Sequence, residues 1–130
     1  MNKKIILSGI SFCASAVILG AMNAHYLKQF FTPELTASFD TGVRYQIYHG
    51  LALVSIGALY QLLSKKALNM LNLLFSLGTI LFSWSIFILC AFKSNGVIGL
   101  TGLGILTPIG GLILISAWIY FFLQILKFKK

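Results

Sequence analysis

The sequence predicts an all-α membrane protein, a single-domain four-helix transmembrane bundle. Hydrophobic residues make up 58% of the 130 residues and charged residues only 9%, whereas a soluble domain carries about 25% charge. The apolar residues gather into four long runs, each close to the ~20-residue helix that crosses a bilayer core. The basic residues lie at the ends of these runs and not on one soluble face. The lipid bilayer is therefore the first expected partner of the chain.

The positions of the lysines predict the topology of the bundle. The four spans are expected at residues 5–24, 43–63, 67–92 and 108–126. Seven lysines fall on one side of these spans, at positions 3, 4, 65, 66, 127, 129 and 130. Short basic loops stay in the cytoplasm, so both termini should be cytoplasmic, and residues 25–42 and 93–106 should lie outside. In a bacterium this is the cytoplasmic (inner) membrane; in a eukaryote it is a mitochondrial or other organelle membrane. The net charge of +8 therefore reports topology and does not indicate nucleic-acid binding.

The first span carries small residues at helical spacing. Ser8, Ser11 and Ser15 follow one face, and Ala16, Gly20 and Ala24 form a small-xxx-small series. Small side chains let helix backbones approach closely in lipid, so this series predicts a packing face. Cys13 and Cys90 are expected at different depths, too far apart for a disulfide, and both are interpreted as buried hydrophobes.

Two Thr-Pro pairs resemble helix starts. Thr32 is a good N-cap, Pro33 suits the first turn and Glu34 meets the positive helix end. Residues 33–42 should therefore form an amphipathic lead-in to span two, with Gly42 as a bend. Thr107-Pro108 repeats the pattern and predicts that span four begins at Pro108. The preceding glycines at positions 96, 99, 102 and 104 predict a Gly-rich outer loop over residues 97–106, which either packs over the outer mouth of the bundle or forms a short re-entrant segment.

Span three carries a polar stripe at steps of three and four residues: Asn69, Asn72, Ser76, Thr79 and Ser83. Side chains at this spacing share one helix face, which must point away from lipid. Two interpretations stay open. The favoured interpretation is hydrogen bonding between helices together with back-bonding of the serine and threonine hydroxyls to the backbone. The alternative is that these side chains line a hydrophilic path.

A second polar group is expected at the outer interface: His25, Asp40, Arg44, Tyr45, Gln46, Tyr48 and His49. It could be a structural anchor in which Asp40 pairs with Arg44 and the tyrosines join the aromatic belt. It could be a ligand or proton site, because histidine titrates near neutral pH. The least favoured interpretation is a metal site, since two histidines leave zinc short of ligands.

The chain shows no catalytic signature. It has neither a Gly-x-Ser-x-Gly elbow nor a His-Glu-x-x-His pair, and its two carboxylates are both expected in one loop. Gly99, Gly102 and Gly104 do not make a dinucleotide loop, because no strand precedes them. We therefore expect neither an enzyme nor a cofactor or metal site.

Four segments resemble the domain-of-unknown-function 423 family, whose members are small bacterial membrane proteins related to transmembrane protein 256 of animals. Residues 20–28 are similar to its Gly-Ala-x-x-Ala-His-x-Leu-Lys element, and residues 39–53 to its central signature. Residues 81–83 and 106–111 match its third and fourth spans. Met22-Asn23 and Gly50 depart from the usual Phe-Gly and Ala. The resemblance implies four transmembrane helices and no established activity.

The leading hypothesis is a structural or accessory membrane component that packs with itself or with a larger membrane assembly. A transporter of protons or small solutes, or a ligand sensor that uses the His/Arg/Tyr group, is the alternative.

Overall fold

The protein is a four-helix bundle in the computed structural model, which describes residues 1–128. Helices account for all the regular structure in that range, and no strand occurs there. The rods are α1 (Lys3–His25), α2 (Pro33–Ala58), a third rod that joins α3 (Lys65–Thr79) to α4 (Ser85–Ser94), and α5 (Thr101–Lys127). The predicted all-α bundle is confirmed. Lys129 and Lys130, which the topology prediction used, lie outside the described residues.

Successive rods run antiparallel, so the bundle has two distinct ends. The Lys28 end holds residues 26–32 and 95–100, and the Lys65 end holds residues 59–64 together with the start of α1 and the end of α5. Lys3 and Lys127 therefore lie at the same end of the bundle. The cytoplasmic assignment of that end stays a prediction.

α1 and α2 form the closest helix pair. A Cβ added to Gly9 would lie 2.5 Å from the carbonyl oxygen of Gly50, so the two backbones touch. Ala16 is fully buried in this interface and Gly20 faces Val43, as the small-residue series predicts. Ala24 is exposed, so the prediction is wrong there. Residues at steps of four rotate gradually around a helix, so at this end of α1 the residue that contacts α2 is Asn23 and not Ala24.

α2 begins where the sequence predicts it. The Thr32 hydroxyl accepts a hydrogen bond from the Leu35 amide at 3.3 Å, and Pro33 is the first helical residue. The helix then continues through Gly42 without a break, so the predicted lead-in is continuous with span two. Gly42 serves close packing instead, because a Cβ there would lie 2.6 Å from the ring of Phe87.

The third rod changes its winding at a five-residue π-helical segment, Ile80–Trp84, between α3 and α4. Near this segment Gly110 of α5 lies against the backbone of Phe82, with no room for a side chain. On the α4 side Phe87 packs on Phe39 of α2, with ring centroids 4.6 Å apart. The π segment therefore lies where the rod contacts both neighbouring helices.

α5 begins earlier than predicted, at Thr101 and not at Pro108. The loop before it turns on Gly96 and Gly99, whose φ angles of 76° and 82° favour glycine. Thr107 does not cap the helix, because its hydroxyl bonds that of Ser85 at 2.7 Å. Pro108 is accommodated inside the helix. The predicted Gly-rich loop thus shrinks to residues 95–100.

Three of the described rods are long and apolar enough to cross a membrane: Lys3–Gln29, Lys65–Ser94 and Thr101–Lys127. α2 does not reach that hydropathy, because it carries Asp40, Arg44, Gln46 and His49. It lies between α1 and the third rod and buries ten residues there, including Gln46 and His49. α2 is therefore the most buried helix, and the other rods shield its Gln46 and His49 side chains.

Candidate functional site

The structure separates the predicted group of outer polar residues into two levels. His25 ends α1 at the Lys28 end and is exposed, whereas His49 is only 5% exposed and lies in the middle of α2. His49 is 16 residues beyond the first residue of α2, which at 1.5 Å per residue places it about 24 Å along the helix. The prediction that the two histidines share one layer is wrong, because residues 33–42 lie beside the last turns of α1: Asn23 bonds the Thr36 carbonyl and Gly20 faces Val43. A metal site shared by the two histidines has no geometric basis.

Asp40 and Arg44 form the predicted ion pair. Arg44 Nε lies 3.3 Å from Asp40 Oδ2, one helical turn apart, and both side chains are about half exposed. Tyr48, on the same helix, is 55% exposed. These residues remain at the surface of the bundle. An exposed ion pair of this kind contributes about 0.3–0.5 kcal/mol in water, so it is a weak anchor.

His49 lies among aromatic rings. Its ring centroid is 5.8 Å from that of Phe75 and 6.2 Å from that of Trp118. Its Nδ1 contacts the Tyr45 carbonyl oxygen at 2.6 Å. A carbonyl can only accept, so Nδ1 carries the hydrogen and Nε2 keeps a free lone pair. Tyr45 in turn stacks on Phe82 at 4.5 Å. The imidazole is thus fixed in one tautomer inside the bundle.

A polar layer crosses the bundle at the same depth; it consists of Gln46, Thr79 and Ser83, which are all 0% exposed. The Gln46 amide nitrogen donates to the Phe12 carbonyl at 3.1 Å and to the Ser15 hydroxyl at 2.7 Å. The Gln46 Oε1, Thr79 Oγ1 and Ser83 Oγ atoms have no hydrogen-bond partner among the described residues. Buried polar atoms are normally satisfied, so this layer has unused hydrogen-bonding capacity.

The span-three stripe is therefore only partly internal. Asn69 is exposed and Asn72 and Ser76 are half-buried, although the Oδ1 atom of Asn72 is buried without a partner. Only Thr79 and Ser83, beside the π segment, are fully inside. The hydroxyls of Thr79 and Ser83 make no hydrogen bond among the described residues, so the favoured interpretation, hydrogen bonding between helices, finds no support there. The hydrophilic path stays a prediction.

A serine groove of about 490 Å³ opens between α1 and the third rod, beside the polar layer. Its lining consists of Ser8, Ser11, Phe12, Ser15, Ser76 and Trp84. Along residues 1–128 α1 has an extended interface only with α2, so the groove between its serines and the third rod stays open; Ser11 is exposed, and Ser8 and Ser15 are partly buried. The sequence shows this stripe of serines but not that it remains uncovered.

A second cavity, the Lys28 pocket, lies where α1 ends and α2 begins. It has a volume of about 730 Å³, and its lining includes Asn23, Lys28, Phe31, Thr36, Ala37 and Asp40. Asn23 and Lys28 were not predicted as site residues. They lie within residues 20–28, which resemble the family element, but the spacing of polar residues alone does not connect them to Asp40.

The apolar rods, the interior polar helix and the near absence of charge in the bundle define a polytopic integral membrane protein. A family model described as a protein of unknown function (DUF423) matches residues 19–111. The chain belongs to that family, as the sequence motifs indicate. No solved structure matches it.

Bacterial relatives extend over almost the whole chain. A UPF0382 membrane protein of Staphylococcus haemolyticus is 32% identical over 126 residues, covering 97% of this chain and 98% of the relative. The relative YwdK of Bacillus subtilis is 32% identical over 127 residues, with the same coverage of both chains. A relative from Haemophilus influenzae is 32% identical over 120 residues, covering 91% of this chain and 89% of its own. All three are named only as membrane proteins.

Proposed function

We propose that the protein is a non-enzymatic membrane component that works as a homo-oligomer, with two copies joined through α1. The serine groove carries this proposal. Small side chains let helix backbones approach closely in lipid, so a row of serines along an open groove suits the packing of another helix. A second copy is a suitable occupant, because α1 itself presents the row.

The three serine hydroxyls form hydrogen bonds within α1, which suits close contact with another helix. The hydroxyls of Ser8, Ser11 and Ser15 donate to the backbone carbonyl four residues earlier, at 3.1, 2.9 and 2.7 Å. Their hydrogens are thus satisfied within the helix, and the side chains stay short and close to it. Spacings of three and four residues keep them on one stripe, as in paired helices.

Two copies in one membrane have the same orientation relative to the bilayer. A two-fold axis along the membrane normal would therefore place the α1 helices parallel and in register. Ser11 would then lie near Ser11 of the second copy. Val17, which is 64% exposed, projects about 120° away from Ser11 around the helix and would stay apart.

Disulfide crosslinking in native membranes tests this arrangement. Ser11→Cys is placed in a background that carries Cys13→Ala and Cys90→Ala, and oxidation should give a covalent dimer. Val17→Cys in the same background is the matched control and should crosslink several-fold less. The purified protein in mild detergent should have twice the chain mass of 14.3 kDa.

Several results would contradict the two-copy arrangement. They are equal crosslinking at Ser11→Cys and Val17→Cys, capture of a different protein at Ser11→Cys, and a strictly monomeric mass with intact helical content. The second of these would support the other accessory role, in which α1 joins a larger membrane assembly.

A second candidate function is the transfer of protons or a small polar solute, as the sequence-based alternative holds. The buried oxygens of Gln46, Thr79 and Ser83 favour it, because they can bind water inside the bundle. His49 is the one titratable imidazole at that depth among the described residues. Flux into liposomes that His49→Ala abolishes would support this function, and no flux over a broad panel of solutes would contradict it.

A further inference from the structure

We propose that the Lys28 pocket binds the headgroup of a zwitterionic phospholipid that has a primary ammonium and a phosphate, such as phosphatidylethanolamine. This proposal does not depend on the pairing of α1 helices. The Lys28 pocket lies near the end of α1, whereas the serine groove lies along its first half.

The pocket presents both signs of charge without pairing them to each other. Lys28 and Asp40 line the same cavity of about 730 Å³. Asp40 uses Oδ2 for Arg44, at 3.3 Å from Arg44 Nε, so Oδ1 stays available. Lys28 has no carboxylate within 4.0 Å among residues 1–128, where the Asp40–Arg44 pair is the one ion pair. A ligand that matches both residues carries a negative group for Lys28 and a positive group for Asp40.

Asn23 adds a requirement for a hydrogen-bond donor. Asn23 is one of the residues that line the pocket, and it is only 4% exposed. The amide nitrogen donates to the Thr36 carbonyl at 3.1 Å, which ties α1 to α2 and fixes the orientation of the amide. The Oδ1 atom is buried and has no donor among the described residues. It needs an N–H or O–H group to reach the wall of the pocket.

A primary ammonium meets both requirements at once. It is positively charged, as Asp40 requires, and it has three N–H donors, one of which can serve Asn23 Oδ1. A quaternary ammonium has the charge but no N–H donor. A glycerol headgroup has O–H donors but no positive charge. The pocket should therefore prefer phosphatidylethanolamine over phosphatidylcholine and phosphatidylglycerol.

The position and the rest of the lining favour a lipid over a soluble zwitterion. The pocket lies at the Lys28 end of the bundle, where the apolar part of α1 ends and headgroups are expected. Ala24, Phe31, Pro33 and Ala37 supply apolar wall that suits the glycerol and the upper acyl chain. A small soluble zwitterion would leave this apolar wall unused.

Lipid-dependent thermal stabilisation of the purified full-length protein tests the proposal. Phosphatidylethanolamine, phosphatidylcholine and phosphatidylglycerol with identical acyl chains are added in turn to the protein in mild detergent. The first should raise the melting temperature most and at the lowest concentration. Lys28→Gln should weaken its apparent affinity about threefold to tenfold, as expected for loss of one charged contact. Lys93→Gln removes an exposed lysine at the same end of the bundle and should leave the affinity unchanged.

Asp40→Asn separates recognition of the ammonium from recognition of the phosphate. The substitution lies at an exposed position and removes the carboxylate that binds the ammonium, so it should reduce the preference for phosphatidylethanolamine over phosphatidylcholine. Lys28 should still bind the phosphate. Equal stabilisation by all three lipids would overturn the proposal, and so would an unchanged affinity in Lys28→Gln. Free phosphoethanolamine should give no shift at the same concentrations. A full shift with it would overturn the lipid assignment.

Discussion

Gly9→Ala should destabilise the protein by about 1–3 kcal/mol, the usual range for overpacking. The new Cβ would lie 2.5 Å from the Gly50 carbonyl oxygen and 2.8 Å from both the amide nitrogen and Cγ2 of Val54. Ordinary contacts begin near 3.4 Å, so α1 and α2 must separate by roughly 1 Å. Backbone atoms cannot move aside as a flexible side chain can. Such a shift would also lengthen the 3.1 Å bond from Gln46 to the Phe12 carbonyl.

Gly102→Ala is the matched control, because a Cβ at Gly102 meets nothing within 4 Å. Alanine is about 1 kcal/mol better than glycine in a helix interior, so this variant should be neutral or slightly more stable. Equilibrium unfolding in mixed detergent and dodecyl sulfate can be followed by tryptophan fluorescence. Trp118 is a suitable reporter, since its ring packs edge-on against Phe75 at 5.1 Å. If Gly9→Ala unfolds at the same denaturant fraction as Gly102→Ala, the close approach of α1 and α2 is wrong.

Two further predictions concern single polar side chains. Gln46→Leu should change the free energy of unfolding by less than about 1 kcal/mol. The substitution removes two hydrogen bonds of about 0.6 kcal/mol each in a membrane, but it also removes a buried carbonyl that has no partner. A loss above about 3 kcal/mol in the same unfolding assay would contradict this. The pKa of Glu34 is lowered by hydrogen bonds from its own backbone amide and from Thr32. The ionised carboxylate therefore stabilises the start of α2 at any pH above the pKa of Glu34 in the unfolded chain. This contribution is lost as the pH falls through the lower pKa of the folded state. Glu34→Gln should therefore melt below the wild type at pH 7 and together with it at strongly acidic pH, and a gap that widens on acidification would refute the assignment.

The start of α2 could be predicted from the sequence and the start of α5 could not, although both carry Thr-Pro. Thr32 caps its helix because its hydroxyl accepts from the Leu35 amide. The Thr107 hydroxyl instead bonds Ser85, on a different helix. Local sequence shows that a threonine can cap a helix end, but not that a distant serine will use the same hydroxyl. The α-helical class and the number of rods follow from apolar run length, which needs no such knowledge.

Part of the candidate site could be predicted from the sequence, including Gln46 and His49, but its arrangement could not, and Asn23 and Lys28 were missed. Apolar run length places the start of span two at Val43, which puts His49 near the membrane surface. Residues 33–42 form the predicted helix, but they lie beside the last turns of α1, so His49 is deep in the bundle. Hydropathy detects lipid-facing residues, and α2 faces mainly other helices. The ion pair of Asp40 with Arg44 could be predicted, because it requires only that the two residues lie one helical turn apart.

The π segment Ile80–Trp84 sets the rotational phase of everything that follows it in the third rod. A π turn holds one residue more than an α turn, so the five π residues turn through about the same angle as four α residues. Deleting one residue there would restore regular winding and leave α4 in phase, so Phe87 would stay against Gly42. Regular α winding of all five residues would instead rotate α4 by about 100° and take Phe87 away from Gly42. The π segment is therefore a place where a relative can lack one residue without disturbing the packing of α4 on α2.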